Sequence, residues 1–244
     1  MSRRLRSLAG TIRSRDSGNG YVAYHAVRYA VLLETLVRHD PAPTRALDIG
    51  SSLLTELIHE RFGIPVDTLG FQADGPNTTA GRHYRFDLND TDRHDQRRAD
   101  LPTYPLVVMA EVIEHLYTSP THVLSFLHEH VATGGILVIQ TPNAVALSNR
   151  VKLAFGRNPF HLIDEDRANP LHFREYTQRE LHRYASAAGF EVLESRISSY
   201  FDERYAWHAG RNKAPWFGAV QNRVYRALPR DLRSGITLVL RRNA

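Results

Sequence analysis

The chain has 244 residues, 42% of them hydrophobic and 23% charged, with 31 Lys and Arg against 26 Asp and Glu and a formal net charge of +5. That length fits one large α/β domain or two small ones, and the composition excludes an intrinsically disordered chain. The absence of cysteine excludes disulfides, thiolate zinc sites and cysteine nucleophiles.

No apolar run approaches the roughly 20 residues a membrane helix needs. The opening MSRRLRSLAGTIRSR is basic but lacks an apolar core of signal-peptide length. A cytoplasmic protein without a transmembrane segment is the expectation. Arginines gather at both ends, as Arg3, Arg4, Arg6, Arg13 and Arg15 and as Arg223, Arg226, Arg230, Arg233, Arg241 and Arg242. They read as solvated faces or as a surface for an anionic partner such as nucleic acid, a phosphorylated substrate or a membrane.

Residues 22–38, VAYHAVRYAVLLETLVR, carry apolar residues at helical spacing, and HDPAPT ends that helix. Short apolar runs then alternate with helical segments. RALDI (45–49), PVDTLGF (65–71), HYRF (83–86), PLVVMA (105–110), GILVIQ (135–140), FEVLESRIS (190–198) and GITLVLRR (235–242) read as strands. LTELIHERF, SPTHVLSFLHEHV and TQRELHRYASAAG read as helices between them. Ser119-Pro120 predicts a capped helix start, Thr177 with Glu180 a capping box, and Gly134-Gly135 a sharp turn into the ILVIQ strand. The alternation predicts a mostly parallel sheet covered on both faces. Residues 141–176 have little strand character and are long for a connection, so they read as an insertion over the site.

Four blocks carry chemistry. ALDIGSS ends an apolar strand in Asp48-x-Gly50 and feeds a helix, which brings backbone N–H groups to the carboxyl end of the sheet, where α/β folds bind ligands. By itself this fits a ligand loop or an ordinary turn. YRFDLND places Asp87 after a short strand, as an acceptor for an exocyclic amine or as a turn cap. LVVMAEVIEHL runs into Glu111, Glu114 and His115. If the chain turns helical there, all three share one face, suited to a divalent metal or to acid–base work, with a solvated helix start as the ordinary alternative. ATGGILVIQTPN ends a further strand in Thr141-Pro142-Asn143, facing the same crevice.

The order of these blocks resembles the class I S-adenosylmethionine-dependent methyltransferases. LDIGSS is similar to their first motif, L-D-I/V-G-x-G-x-G. FDLND resembles the adenine block, LVVMAEVIEHL the D-x-V-x-x-x-x-V-L-E-H-L block, ATGGILVIQTPN the L-x-x-G-G-x-L-x-I-x-T-P-N block, and HFREYTQRELHRYASAAGFEV the late segment. The resemblance covers about residues 44–200. It implies a Rossmann-like seven-stranded sheet of order 3-2-1-4-5-7-6 whose last strand, GITLVLRR, is antiparallel. Residues 1–43 become an N-terminal helical extension covering the substrate, and 44–244 the methyltransferase domain.

Carried over, Asp48, Gly50, Ser51 and Ser52 line the methionine end of the cofactor, Asp87 and Leu88 meet the adenine, and Ala110 and Glu111 lie near the sulfonium. Ser52 and Leu54 replace the second and third glycines of the first motif. The acidic residue that usually follows the second strand is absent, so Gln72 or Asp74 takes its place. The EVIEH block of ubiquinone-pathway and small-RNA 2′-O-methyltransferases supplies a divalent-metal site. Glu111, Glu114, His115 and His172 would form one here, although metal-free use of the block is the favoured reading.

The implied function is methyl transfer from S-adenosylmethionine to a small hydroxylated acceptor, a saccharide or specialised metabolite, with His115, Glu111 or His172 as base. A metal-dependent RNA 2′-O-methyltransferase is the alternative, and the basic charge favours it while no RNA-binding module is apparent. A non-catalytic binding protein and a different reaction on the same cofactor are further alternatives. The aromatic, arginine-rich 199–228 reads as an amphipathic helix before the last strand, or as a substrate wall or homodimer interface.

Overall fold

The computed structural model describes every residue except 1, 17, 19, 41, 94, 96–97, 163–170, 206–214 and 244. Part of the 141–176 insertion and part of the 199–228 segment therefore lie outside the described residues.

Eight strands form one sheet: β1 (Ala46–Ile49), β2 (Val66–Gly70), β3 (Gly75–Pro76), β4 (Arg82–Arg85), β5 (Tyr104–Ala110), β6 (Val131–Pro142), β7 (Phe190–Ser198) and β8 (Gly235–Arg242). Their order is β3-β4-β2-β1-β5-β6-β8-β7. Without the two-residue β3, this is the expected 3-2-1-4-5-7-6. β1 pairs in parallel with β2 and β5, and β8 runs antiparallel to both β6 and β7.

Side chains alternate across this sheet with the strand period of two, and both faces are covered. Val107 and Met109 of β5 with Leu137 and Ile139 of β6 face the core shared with α4 (Pro120–His130) and α6 (Gln178–Ala187). Leu106, Val108, Ile136 and Val138 face the opposite core, built with α1 (Arg3–Arg13), α2 (Tyr21–His39) and α3 (Leu53–Phe62). The N-terminal helices thus complete one layer of the fold. The 141–176 segment contributes α5 (Leu147–Ala154), and α7 (Pro215–Ala227) precedes β8. No helix among the described residues is long and apolar enough to cross a membrane.

Two local expectations change. Gly134 and Gly135 do not make a sharp turn before the strand. They sit inside β6, where the pairing with β5 jumps from Tyr104↔Val131 to Leu106↔Ile136, and Gly134 takes the irregularity at φ +77°. The EVIEH segment does not become an α-helix. Glu111 adopts φ +57°, its N–H donates to the carbonyl of Gln140 at 2.8 Å, and only one 3₁₀ turn, Ile113–His115, follows.

Candidate active site

The strand order reverses between the parallel neighbours β1 and β5, the switch point where open α/β sheets bind ligands. A cavity of about 280 Å³ opens there. Its lining comes from the carboxyl ends of four strands: Ile49, Gly50 and Ser51 after β1, Leu69 to Gln72 after β2, Phe86, Leu88 and Asn89 after β4, and Glu111, Val112, His115 and Leu116 after β5. Gly50 holds φ +84°, the left-handed region that a side chain disfavours, and so keeps the floor open.

A second cavity of about 440 Å³ lies beyond Glu111. Tyr21, Tyr24 and His25 of α2 form one wall, Asn149, His161, His172 and Glu175 of the 141–176 segment another, and Phe201, Glu203 and Tyr225 a third. Glu111 is common to both linings.

The 141–176 segment is pinned at its ends, where Asn143 bridges Tyr176 and Ala144 donates to the Tyr176 carbonyl at 3.0 Å. Its late segment docks on the EVIEH turn through Phe173 and Arg174, whose N–H groups donate to the Glu114 carbonyl at 2.7 and 3.1 Å. This brings the His172 ring edge-to-face with His115 at 4.9 Å and stacked with His161 at 5.1 Å. His172 Nδ1 lies 3.2 Å from Glu175 Oε1, and Asn149 Nδ2 donates to Glu175 Oε2 at 3.1 Å. A carboxylate only accepts, so Nδ1 is the donor and Nε2 is left basic.

Beneath the cavities Asp48, Glu111 and Glu114 gather around Arg28, a residue the sequence did not single out. Arg28 of α2 is 4% exposed, and its Nε has no partner. Its charge acts on Glu111, Glu114 and Asp48. Burial pushes Asp48 up to about 7, against the Thr55 hydroxyl that donates to it at 2.7 Å and against Arg28. Burial also raises Glu111, with Arg28 opposing. Glu114 is raised well above the usual carboxyl range, first by burial and then by the Glu111 charge. Both glutamates share the field of Arg28, which opposes the effect of their burial.

Of the residues expected at the cofactor, Gly50, Ser51, Gln72, Leu88 and Glu111 line the smaller cavity. Four others lie elsewhere for local reasons. Ser52 is the N-cap of α3, accepting from Leu54 N at 3.2 Å. Asp87 accepts from the backbone and side-chain nitrogens of Asn89 at 2.9 and 3.0 Å. Asp48 is buried under the loop, and Ala110 packs against the α2 side of the core. Asp74 is held by Arg98 at 2.9 Å, whereas Gln72 stays at the cavity mouth.

Of the expected metal set, Glu114, His115 and His172 offer ligand atoms within 4.8 Å of one another. Glu111 is outside that group. With no α-helix to align them, Glu114 turns fully inward while His115 stays 30% exposed.

The site residues that sequence reasoning missed are Arg28, His25, Tyr24, Asn149, His161 and Glu175. Arg28 left one signal, an arginine on the apolar stripe of the 22–38 helix. Glu175 left another, three residues after His172.

A family model described as a methyltransferase domain matches residues 21–195. A search of curated proteins finds no match. Solved structures share the fold at low identity. The chain is similar to an S-adenosylmethionine-dependent methyltransferase from Archaeoglobus fulgidus (16% identity, 87% of this chain and 93% of that one, TM-score 0.50) and to another from Mesorhizobium loti (14%, 87% and 97%, TM-score 0.52). It is also similar to a geranyl diphosphate methyltransferase solved with S-adenosylmethionine (12%, 97% and 94%, TM-score 0.55). The chain belongs to the class I S-adenosylmethionine-dependent methyltransferases.

The smaller cavity suits that cofactor on the residues present. Phe71, Phe86, Leu88 and Leu116 give a purine an apolar slot, Gln72 offers hydrogen bonds at the mouth, and Glu111 Oε1 is a buried acceptor with no partner.

Proposed function

We propose that the enzyme methylates a hydroxyl of a small acceptor, a saccharide or specialised metabolite, bound in the larger cavity. The observation that carries this reading is Glu111, common to two cavities of which one is built for a nucleoside-like ligand and the other is walled by an oriented histidine. The cofactor supplies an electrophilic methyl group. Gly50 and Ser51 would take its amino-acid end, Leu88 and Phe86 its adenine, Gln72 its ribose, and Glu111 would sit beside the transferred carbon.

On the acceptor side, Tyr21, Tyr24 and Asn149 give a hydroxylated molecule donors and acceptors, and Tyr24 stacked on Phe201 at 4.9 Å gives it a flat apolar wall. His172 serves as base. With the cofactor bound to supply the methyl group, the hydroxyl proton of the acceptor would pass to Nε2 as its oxygen is methylated, and Glu175 would steady the imidazolium through Nδ1. Holding acceptor and methyl donor on either side of one residue supplies proximity and alignment.

A second reading rests on the Glu114, His115 and His172 cluster. One carboxylate and two imidazoles suit a borderline divalent cation, as in the metal-dependent RNA 2′-O-methyltransferases. The deciding experiment follows labelled methyl transfer to a panel of hydroxylated acceptors with EDTA present. Turnover under EDTA that is lost in His172→Gln supports the metal-free reading. Turnover only with Mg²⁺ or Mn²⁺ and an RNA 3′ end supports the second. Transfer to nitrogen or carbon acceptors alone contradicts both.

A further inference from the structure

A third cavity, of about 420 Å³, opens between α1, the 202–204 segment and α7, and shares no lining residue with the two described above. Five guanidinium groups line it, from Arg6, Arg13, Arg204, Arg223 and Arg226, against one carboxylate, Asp202. That carboxylate is saturated. It is 1% exposed and accepts from Arg13 at 3.0 Å, from Arg204 at 2.6 Å and from Asn222 at 2.7 Å.

Arg6, Arg223 and Arg226 have no ion pair or side-chain hydrogen bond among the described residues, and the Nε of Arg13 is buried without a partner. The cavity is part of the packed fold. A Cβ on Gly218 would fall 2.3 Å from the Glu203 carbonyl oxygen, so glycine there lets α7 lie against the 203–204 backbone. Leu5 and Ile12 anchor α1 in the core, and the buried Ala9 and Val27 give the cavity an apolar floor.

Uncompensated cations converging on one cavity repel one another, and a multivalent anion relieves that repulsion. Guanidinium groups bind phosphate oxygens in bidentate fashion, and a phosphate monoester carries a charge of about −1.5 to −2. We propose that this cavity binds a phosphate-bearing anion, at a site separate from the methyl-transfer centre. The apolar floor and the volume leave room for an organic group beside the phosphate, which a soluble phosphate ester or a phospholipid headgroup would provide.

The test uses the full chain and two probes, inorganic diphosphate by titration calorimetry and phosphatidylcholine vesicles containing phosphatidic acid by co-sedimentation. The expected result is single-site binding of diphosphate that Arg223→Gln/Arg226→Gln weakens by about tenfold or more, as does Arg6→Gln, through lost charge-assisted hydrogen bonds. Arg3→Gln/Arg4→Gln, on α1 but outside the lining, should leave it unchanged. Titration with S-adenosylhomocysteine reports that each variant is folded. The same pattern seen with vesicles but not with diphosphate supports the site and identifies a lipid headgroup as its source. Binding of neither probe, or equal weakening by both double variants, overturns the proposal, because diffuse surface charge would then account for the arginines.

Discussion

Phe173 donates its backbone N–H to the carbonyl of Glu114 at 2.7 Å, joining the 141–176 segment to the turn that ends β5. Through that bond one side of the larger cavity is held against Glu111, the residue whose lining it shares with the smaller cavity. His172, the preceding residue, thereby reaches the row formed by His115 and His161.

If His172 is the base, His172→Gln should lower kcat by about 10²–10⁴-fold, the usual worth of a positioned general base. S-adenosylhomocysteine affinity should not change, because His172 does not line the smaller cavity. Glu175→Gln should retain more activity, since its amide can still face Nδ1 but no longer stabilises a charged ring. Steady-state kinetics beside calorimetry separate these effects.

Arg28 is the only guanidinium whose charge acts on Glu111, Glu114 and Asp48 together among the described residues. Arg28→Met should destabilise the fold at neutral pH, because Glu111 then loses the Arg28 charge that opposes the effect of its burial, and the loss should shrink as the pH falls. Adding Glu111→Gln should recover part of that loss, and urea unfolding of the two singles and the double measures the coupling.

Asp48 and His25 give stability opposite pH slopes. Asp48 is pushed from 3.8 up to about 7, chiefly by burial. Between those values the folded protein keeps a proton that the unfolded chain releases. Raising the pH from about 4 to about 7 should thus cost up to about 4 kcal/mol of stability, and Asp48→Asn should abolish the loss. His25 is pushed down to about 3 by burial and then by Arg28. The unfolded chain binds that proton first, so stability falls as the pH drops below about 6.5, and His25→Asn should remove this acid-side loss. Melting temperature against pH checks both signs.

Ser52 caps α3 and does not line the smaller cavity. Ser52→Ala should cost about 1 kcal/mol of stability, as lost N-caps do, and leave cofactor affinity within twofold. A larger loss of affinity would return Ser52 to the cofactor.

Periodicity located the strands and helices because the core demands it. Leu106 and Val108 alternate with Val107 and Met109 in sequence as they do across the sheet. The strand order was legible only through the resemblance, since no local pattern specifies which strands pair. The backbone at Glu111 was not legible, because its left-handed conformation depends on a tertiary bond to Gln140. The role of Ser52 was hidden by its motif. A serine before a helix fits a cap and a cofactor loop equally well in sequence, and the structure adds the Leu54 hydrogen bond of a cap. Arg28 was visible as an arginine on an apolar stripe, but nothing in the sequence placed three carboxylates around it.

The central claim, a cofactor seated over Gly50 with the acceptor beyond Glu111, is tested most directly by titrating S-adenosylhomocysteine into the wild type and Gly50→Val. At φ +84° a valine is strained, and its side chain projects toward Val112 on the cavity wall. The expected result is single-site binding by the wild type, weakened by about tenfold or more in the variant, which a penalty of about 1.4 kcal/mol suffices to produce. Equal affinity in the two proteins, or no binding by the wild type at millimolar cofactor, would contradict it.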